Sequence, residues 1–193
     1  MTPTPPPPAL LDTRVLHHGW GRYLVARLRL ADGTVVEREV EDHGHAAAVL
    51  PYDAERRTAL LVRLARVGPL MNGADPYLLE APAGMLDGEG AEVAIRREAL
   101  EEVGLRLETL EPAGAPYTMP GISTETIALF LAPYRPADRV AAGGGLAEEH
   151  ENIEVVETPL SELWGLVEAG RLRDLKTLAL VALLRARRPE LFA

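Results

Sequence analysis

Cysteine is absent from this 193-residue chain. Its absence excludes disulfide bonds, zinc–thiolate sites and a cysteine nucleophile. Long hydrophobic runs are also missing, since the longest one covers residues 178–184, far short of the roughly 20 residues of a membrane-spanning helix. The N-terminus carries prolines in place of the basic segment of a secretory signal peptide. We therefore expect a cytoplasmic protein that does not bind a membrane.

An excess of positive charge is lacking as well, because 20 Lys and Arg stand against 29 Asp and Glu and give a net charge of -9. This balance argues against a broad basic surface, and we expect no nucleic-acid partner. An acidic site can still hold a small phosphate ester when divalent cations lie between the two. The composition, 47% hydrophobic and 25% charged, is typical of a globular protein.

The chain divides into three predicted segments. Residues 1–9 are rich in proline, which indicates a disordered or polyproline-II tail. Residues 10–45 contain two predicted strands, at about 22–30 and 35–40, joined at Asp32-Gly33, a hairpin turn signal. Residues 46–193 hold the remaining predicted strands and helices and form the main domain.

Hydrophobic patterning in this main domain predicts an α+β fold. Apolar runs predict strands at 46–50, 60–64, 77–81, 126–133 and 153–157, with the first two forming a hairpin. Helices are predicted at 91–103, at 158–169 and from Asp174 to about 188, and loops at 67–76, 84–90 and 141–152. Neither a Walker A sequence nor a Rossmann unit is present. This order of elements indicates helices packed on a mixed sheet.

The helix predicted at 91–103 carries the strongest chemical signal. Glu98, Glu101 and Glu102 are three and four residues apart, so they project from one helix face. Like charges at this spacing destabilise an isolated helix by roughly 0.2–0.5 kcal/mol per pair, and a cation such as Mg²⁺ would neutralise them. The alternative is a solvated acidic face. The buried face is predicted to contain Val93, Ala99, Leu100 and Val103.

A glycine turn and an arginine accompany these glutamates. Gly84 opens a turn before the helix, where the backbone can approach a ligand closely. Arg97 lies beside Glu98 and eight residues after Glu89, so an arginine–glutamate pair could tie the turn to the helix. Gly104 follows the helix as a natural C-terminal cap.

Together these residues resemble the Nudix box of the Nudix hydrolase family. The resemblance implies a Nudix α/β/α sandwich with a mixed sheet and an N-terminal β-hairpin extension. It also implies Mg²⁺ as the cofactor, with Mn²⁺ as a substitute, held by the Ala83 carbonyl, Glu98 and Glu102. The turn from Gly84 to Glu89 is one residue shorter than in the usual pattern. The residues that match are Gly84, Glu89, Arg97, Glu98, Glu101, Glu102, Gly104 and Leu105.

Features outside the box resemble the nucleoside diphosphate sugar branch of the family. The lead-in at 80–84 and the placement of Pro120 are similar to that branch and to ADP-ribose pyrophosphatases. The segments 38–40, 87–102, 143–155 and 173–177 are more similar to GDP-mannose pyrophosphatases. The resemblance implies hydrolysis of a pyrophosphate bond, with GDP-mannose favoured and ADP-ribose as the alternative substrate. It also implies a homodimer formed through residues 10–45.

Further site residues are implied by the same resemblance. A general base or a further metal ligand is expected in the acidic loop after residues 143–145, with Glu151 first and Glu149 second, and Glu101 is another catalytic candidate. The three glycines at 143–145 are expected to let this loop close over substrate. For Glu80, pairing with an arginine is the alternative to a role in binding. Substrate contacts are expected from Arg38, Glu39, Arg63, Arg66 and Glu80.

Two other classes of protein compete with a hydrolase. A Nudix-like module could bind a nucleotide without cutting it, but such modules usually lose the helix carboxylates, and Glu98, Glu101 and Glu102 are all present. An acidic interaction domain would leave the glycine turn and its spacing unexplained. We therefore expect an enzyme.

Overall fold

The computed structural model describes residues 6–146 and 152–193. These residues form two compact units. The first contains residues 6–45 and 116–126, and the second contains 46–115, 127–146 and 152–193. None of the helices in these ranges has both the length and the apolar character that crossing a membrane requires.

The first unit is built on a three-stranded antiparallel sheet. Its strands, in spatial order, are Ala9–His18 (β1), Arg22–Arg29 (β2) and Val35–Asp42 (β3). The predicted hairpin is the β2–β3 pair, with Gly33 in the left-handed region at its turn. Sequence patterns do not predict β1, because two register shifts interrupt its pairing with β2 and break the alternation of its apolar residues.

The second unit contains a seven-stranded mixed sheet. Numbered along the chain within this unit, its strands lie side by side in the order seventh, second, first, sixth and fifth. The third strand pairs with the second, and the fourth pairs with the first. Among the strands described for this sheet, only the first and sixth pair in parallel. The hairpin predicted at its start is confirmed by the pairing of Tyr52 with Ala59. In chain order the strands are Ala46–Asp53 (β4), Thr58–Ala65 (β5), Tyr77–Glu80 (β6), Ala83–Met85 (β7), Glu111–Gly114 (β8), Ile127–Pro133 (β9) and Glu154–Pro159 (β10).

The described part of this unit contains four α-helices: Val67–Met71 (α1), Ala91–Val103 (α2), Leu160–Glu168 (α3) and Leu175–Arg187 (α4). The bounds predicted for α2 are confirmed, and Asp174 caps α4 by accepting the Thr177 N–H at 3.0 Å. The loops predicted at 67–76 and 84–90 are wrong in part. Proline is tolerated in the first turn of a helix, so Pro69 does not prevent α1. The glycine-containing β7 becomes a strand because β4 offers it a partner.

Helices cover both faces of the seven-stranded sheet. On one face, α2 packs against the apolar side chains of β4 and β5 in one buried cluster. On the other face, α3 and α4 form a second cluster with the opposite side chains of the same strands. The predicted α+β class, with helices packed on a mixed sheet, is confirmed.

The buried face of α2 agrees with the predicted one at Ala99 and Val103 and differs from it at the two other predicted positions. Ile95, Ala99 and Val103 recur every four residues and are buried, whereas Val93 and Leu100 are 59% and 40% exposed. Val93 and Leu100 are seven residues, about two turns, apart and therefore share one outward-facing side. The rotation of the helix that buries Ile95 also turns Glu102 inward, which places a carboxylate inside the unit.

Candidate functional site

The innermost carboxylate of α2 lies against the backbone of β7. Glu102 is only 3% exposed, and its Oε2 accepts a hydrogen bond from the Ala83 N–H at 3.0 Å. Because β7 pairs with the fully buried strand β4, the sheet holds this stretch of backbone in place. The centre of the candidate site is therefore a helix carboxylate held at a strand that ends in a glycine turn.

Arg97 connects the other carboxylates of the site. Its Nη1 donates to Glu98 Oε1 at 2.8 Å and to Glu101 Oε2 at 3.1 Å, and its Nε lies 3.4 Å from Glu89 Oε2. Desolvation alone lowers the pKa of Arg97, but the charges and hydrogen bonds of these three glutamates raise the pKa above its usual value. Arg97 thus ties the turn that contains Glu89 to the helix and brings Glu98 and Glu101 together.

Gly84 leaves the space that the Glu98 carboxylate occupies. A Cβ atom added to Gly84 would lie 2.0 Å from Glu98 Oε1 and 2.1 Å from its Cδ. The backbone at Gly84 is not left-handed, so glycine is required for close approach rather than for its conformation. Any side chain at this position would have to displace the carboxylate.

We expect Gly84→Ala to lower turnover by about 100-fold while leaving the melting temperature nearly unchanged. The added methyl meets the end of a flexible side chain, so Glu98 moves and the fold is retained, and a misplacement of this size can cost a factor of about 100. Steady-state kinetics and thermal unfolding measure the two effects. Gly90→Ala is the matched control, because a Cβ atom at Gly90 meets nothing within 4 Å. Equal activity in the two variants would contradict the assignment of Glu98 to the functional site.

The donors of the site fit a hard divalent cation. Within the described ranges, no three His, Cys, Asp or Glu side chains are already grouped as a complete metal site. The Arg97 guanidinium instead lies between Glu98 and Glu101, so a positive charge already occupies the place where these carboxylates meet. The carboxylates of Glu98 and Glu102 and the carbonyl of Ala83 supply oxygen, the donor type that Mg²⁺ prefers. These residues are the candidates for holding the ion.

A second charged cluster surrounds Glu80 at the end of β6. Glu80 is 2% exposed and accepts two hydrogen bonds from Arg66, at 2.8 and 2.9 Å, and a third from Lys176. Burial alone raises the pKa of Glu80, but the bonds and charges of Arg66 and Lys176 outweigh it and lower the pKa below the ordinary value. The expected alternative for Glu80, pairing with an arginine, is what the structure contains.

Lys176 has no separate predicted role in the sequence, but it contributes to this cluster. Its ammonium group contacts both Glu80 and Asp174, which is 3.1 Å away. Glu80 and Lys176 are 96 residues apart in the chain, so no local pattern reveals their contact. The available signal was the resemblance of segment 173–177 to GDP-mannose pyrophosphatases.

The other predicted substrate residues lie outside these two clusters. Arg63 pairs with the exposed Glu154 at 3.4 Å and stacks over Tyr77. In the first unit, Arg38 donates to a backbone carbonyl, and Glu39 accepts a hydrogen bond from Tyr23 at 2.7 Å. Two more predicted site residues, Glu149 and Glu151, lie outside the described residues.

Comparison with known proteins identifies the class to which this fold and site belong. The model of the NUDIX domain matches residues 42–181, which is most of the chain. The chain therefore belongs to the Nudix family, and the prediction of an enzyme of this family is confirmed.

Among individual proteins, the chain is similar to two curated relatives. It is 45% identical over 169 residues to the GDP-mannose pyrophosphatase of Cronobacter sakazakii (strain ATCC BAA-894), covering 86% of this chain and 87% of the relative. It is 40% identical over 153 residues to the GDP-mannose pyrophosphatase of Escherichia coli O1:K1 / APEC, covering 78% and 79%. A crystal structure of an ADP compounds hydrolase superposes with a TM-score of 0.77 over 98% of both chains. At 19% sequence identity, that structure supports the fold alone.

Proposed function

We propose that this chain hydrolyses the pyrophosphate bond of a nucleoside diphosphate sugar with Mg²⁺ as its cofactor, and that Mn²⁺ can substitute. GDP-mannose is the favoured substrate, and the products are a nucleoside monophosphate and a sugar 1-phosphate. The observation that carries the proposal is the convergence of Glu98 and Glu102 on the Ala83–Gly84 backbone. This arrangement supplies oxygen donors beside a turn where a diphosphate can approach closely.

In the proposed mechanism, Glu98, Glu102 and the Ala83 carbonyl would hold the cation. When bound, a divalent ion offsets the charge of the two phosphates and makes a bound water more acidic. A carboxylate must orient the attacking water and accept its proton as the oxygen–phosphorus bond to the leaving phosphate breaks. Glu101 is the candidate among the described residues, and the Arg97 contact holds its side chain beside Glu98. Glu149 and Glu151 remain proposed for the same step.

Arg66 is the proposed phosphate-binding arginine of the second cluster. Glu80 accepts from its Nε and one of its terminal nitrogens. An arginine side chain carries five N–H donors, so the remaining ones can bind phosphate oxygens. The Arg66 side chain is 45% exposed, which leaves that edge accessible. We therefore assign Glu80 to positioning Arg66, and we retain Arg63, Arg38 and Glu39 as proposed substrate contacts.

We also propose that the chain forms a homodimer and that it is located in the cytoplasm. Strand β1 is exposed along nearly its whole length, and its exposed residues include Leu10, Val15 and Leu16. Apolar side chains on an open sheet favour burial against a second copy of the same sheet. The absence of cysteine is compatible with the reducing environment of the cytoplasm.

A substrate panel tests the proposed reaction. With Mg²⁺, we expect GDP-mannose to have a higher kcat/KM than ADP-ribose, coenzyme A or diadenosine polyphosphates, and to yield GMP and mannose 1-phosphate. Chelation should remove the activity, and Mn²⁺ should restore it. A preference for ADP-ribose would overturn the substrate assignment but keep the reaction. If none of the compounds in the panel is hydrolysed, the proposed function itself is overturned.

A further inference from the structure

The C-terminal end of α2 is covered by the backbone of a glycine segment, residues 143–145, that lies much later in the chain. A helix leaves its last carbonyl groups without partners inside the helix. Gly144 donates its N–H to the Glu102 carbonyl at 2.9 Å, and Gly145 donates to the Glu101 carbonyl at 3.0 Å. The two carbonyls that the glycine segment binds thus belong to two of the three helix glutamates of the proposed site.

The residues just before this glycine segment also bind the residue that ends the helix. Gly104 lies in the left-handed region with φ of +73°, and its carbonyl accepts the N–H of Val140 at 2.9 Å and that of Ala141 at 3.2 Å. A Cβ atom on Gly104 would lie 2.0 Å from the Ala141 carbonyl oxygen. The chain from 140 to 145 therefore follows the helix end at main-chain contact distance on both sides of Gly104.

Steric contact at Gly143 makes this arrangement specific to glycine. A Cβ atom on Gly143 would lie 2.5 Å from the Glu102 carbonyl oxygen and 2.7 Å from the Val103 Cα. These are backbone atoms, which cannot rotate away as a side chain can. Gly143, Gly144 and Gly145 all have positive φ, of +75°, +110° and +75°, a region that disfavours side chains. Both space and conformation thus require glycine.

We propose that residues 143–145 form a glycine clamp that fixes the last turn of α2 and thereby orients Glu101 and Glu102. Gly143 is a positioning residue in this scheme, acting on the site through the helix backbone. The clamp gives these glycines a rigid role in place of the hinge that loop closure would need, because the Gly144 and Gly145 amides are bound to helix carbonyls. The proposal rests on the proposed function only in taking Glu102 as a cation ligand.

Amide exchange in the metal-free protein tests the clamp without any assay of activity. The Gly144 and Gly145 amides should exchange with solvent deuterium as slowly as the hydrogen-bonded amides in the last turn of α2, because opening requires release from the helix. A hinge would leave both amides exchanging rapidly in the native state. Rapid exchange at both positions would overturn the proposal.

The second test uses Gly143→Ala and measures Mn²⁺ binding by electron paramagnetic resonance in the absence of substrate. We expect affinity to fall by about tenfold, the lower end for loss of a group that orients a metal ligand. The matched control is Gly165→Ala in α3, because a Cβ atom there meets nothing within 4 Å. Unchanged affinity in folded Gly143→Ala would overturn the proposal.

A milder variant keeps the test decisive if Gly143→Ala does not fold. A Cβ atom on Gly144 meets only one atom within 4 Å, at 3.8 Å, so Gly144→Ala strains the backbone without a steric clash. It should weaken Mn²⁺ binding in the same direction but less, and affinity equal to wild type would count against the clamp. If the wild-type protein cleaves no nucleotide sugar, the proposed function fails, whereas the exchange and Mn²⁺ measurements still decide the clamp.

Discussion

Glu102→Gln should reduce Mg²⁺-dependent turnover by about 100- to 1,000-fold, the range for removing one preorganised charge-stabilising group. Glutamine has nearly the same shape, and its side-chain oxygen can still accept the Ala83 N–H. What disappears is the negative charge that we assign to holding the cation. The loss should therefore fall on kcat and on the Mg²⁺ concentration required, with little change in folding.

The measurement is a set of steady-state kinetics at several Mg²⁺ concentrations, together with thermal unfolding. Glu92→Gln is the matched control, since Glu92 is an exposed acidic residue in the first turn of the same helix. It should behave as wild type. Wild-type turnover in Glu102→Gln would remove the basis of the proposed site, because no other carboxylate of α2 is equally buried.

Glu80→Gln should lower the free energy of unfolding by about 3 kcal/mol, the lower end for breaking a buried ion pair from one side. Two cations, Arg66 and Lys176, would lose their shared anion. Arg66 can turn partly toward water because its side chain is 45% exposed, whereas the Lys176 side chain is 14% exposed and retains Asp174. Equilibrium urea unfolding measures the change.

The control for this variant is Glu154→Gln. Glu154 also pairs with an arginine, Arg63, but both side chains are largely exposed and the contact is 3.4 Å. Exposed pairs contribute at most about 1 kcal/mol, so this change should be small. Equal losses of unfolding free energy in the two variants would show that the burial of Glu80 contributes nothing to stability.

The pH dependence of the same difference has a definite sign. The pKa of Glu80 is lower in the folded chain than its ordinary value of 4.5, so the folded carboxyl binds a proton less readily than the unfolded one. Its stabilising contribution is therefore complete above the ordinary value and is lost as the pH falls through the lower folded value. The gap in unfolding free energy between wild type and Glu80→Gln should therefore shrink as the pH falls below the ordinary value of 4.5.

Local features of the fold could be predicted from sequence because they depend on residues close together in the chain. The bounds of α2 follow from an apolar period that stops at Gly104, which alone can take the left-handed conformation there without strain. The capping of α4 by Asp174 depends on a residue three positions away. By contrast, β1 and β8 lack regular alternation and become strands only through their neighbours.

For the site, the sequence by itself determined which residues we propose for the chemistry: three glutamates on one helix, an arginine beside them and a glycine turn before them. Helical spacing is enough to place Glu98, Glu101 and Glu102 near one another, whatever the rest of the chain does. It determined the buried face of the helix only in part: Ala99 and Val103 are buried as predicted, but the prediction of Val93 and Leu100 is wrong, because the sheet buries Ile95 instead.

Only the tertiary structure decided which groups these side chains contact. The approach of Glu98 to Gly84, the bond from Ala83 to Glu102 and the pairing of Glu80 with Lys176 each join residues that are 14 to 96 positions apart. The same holds for the glycine clamp, whose amides meet the end of α2 about 40 residues after it. Such contacts depend on how the sheet and helices pack, since packing brings distant segments together and sets the space left between them.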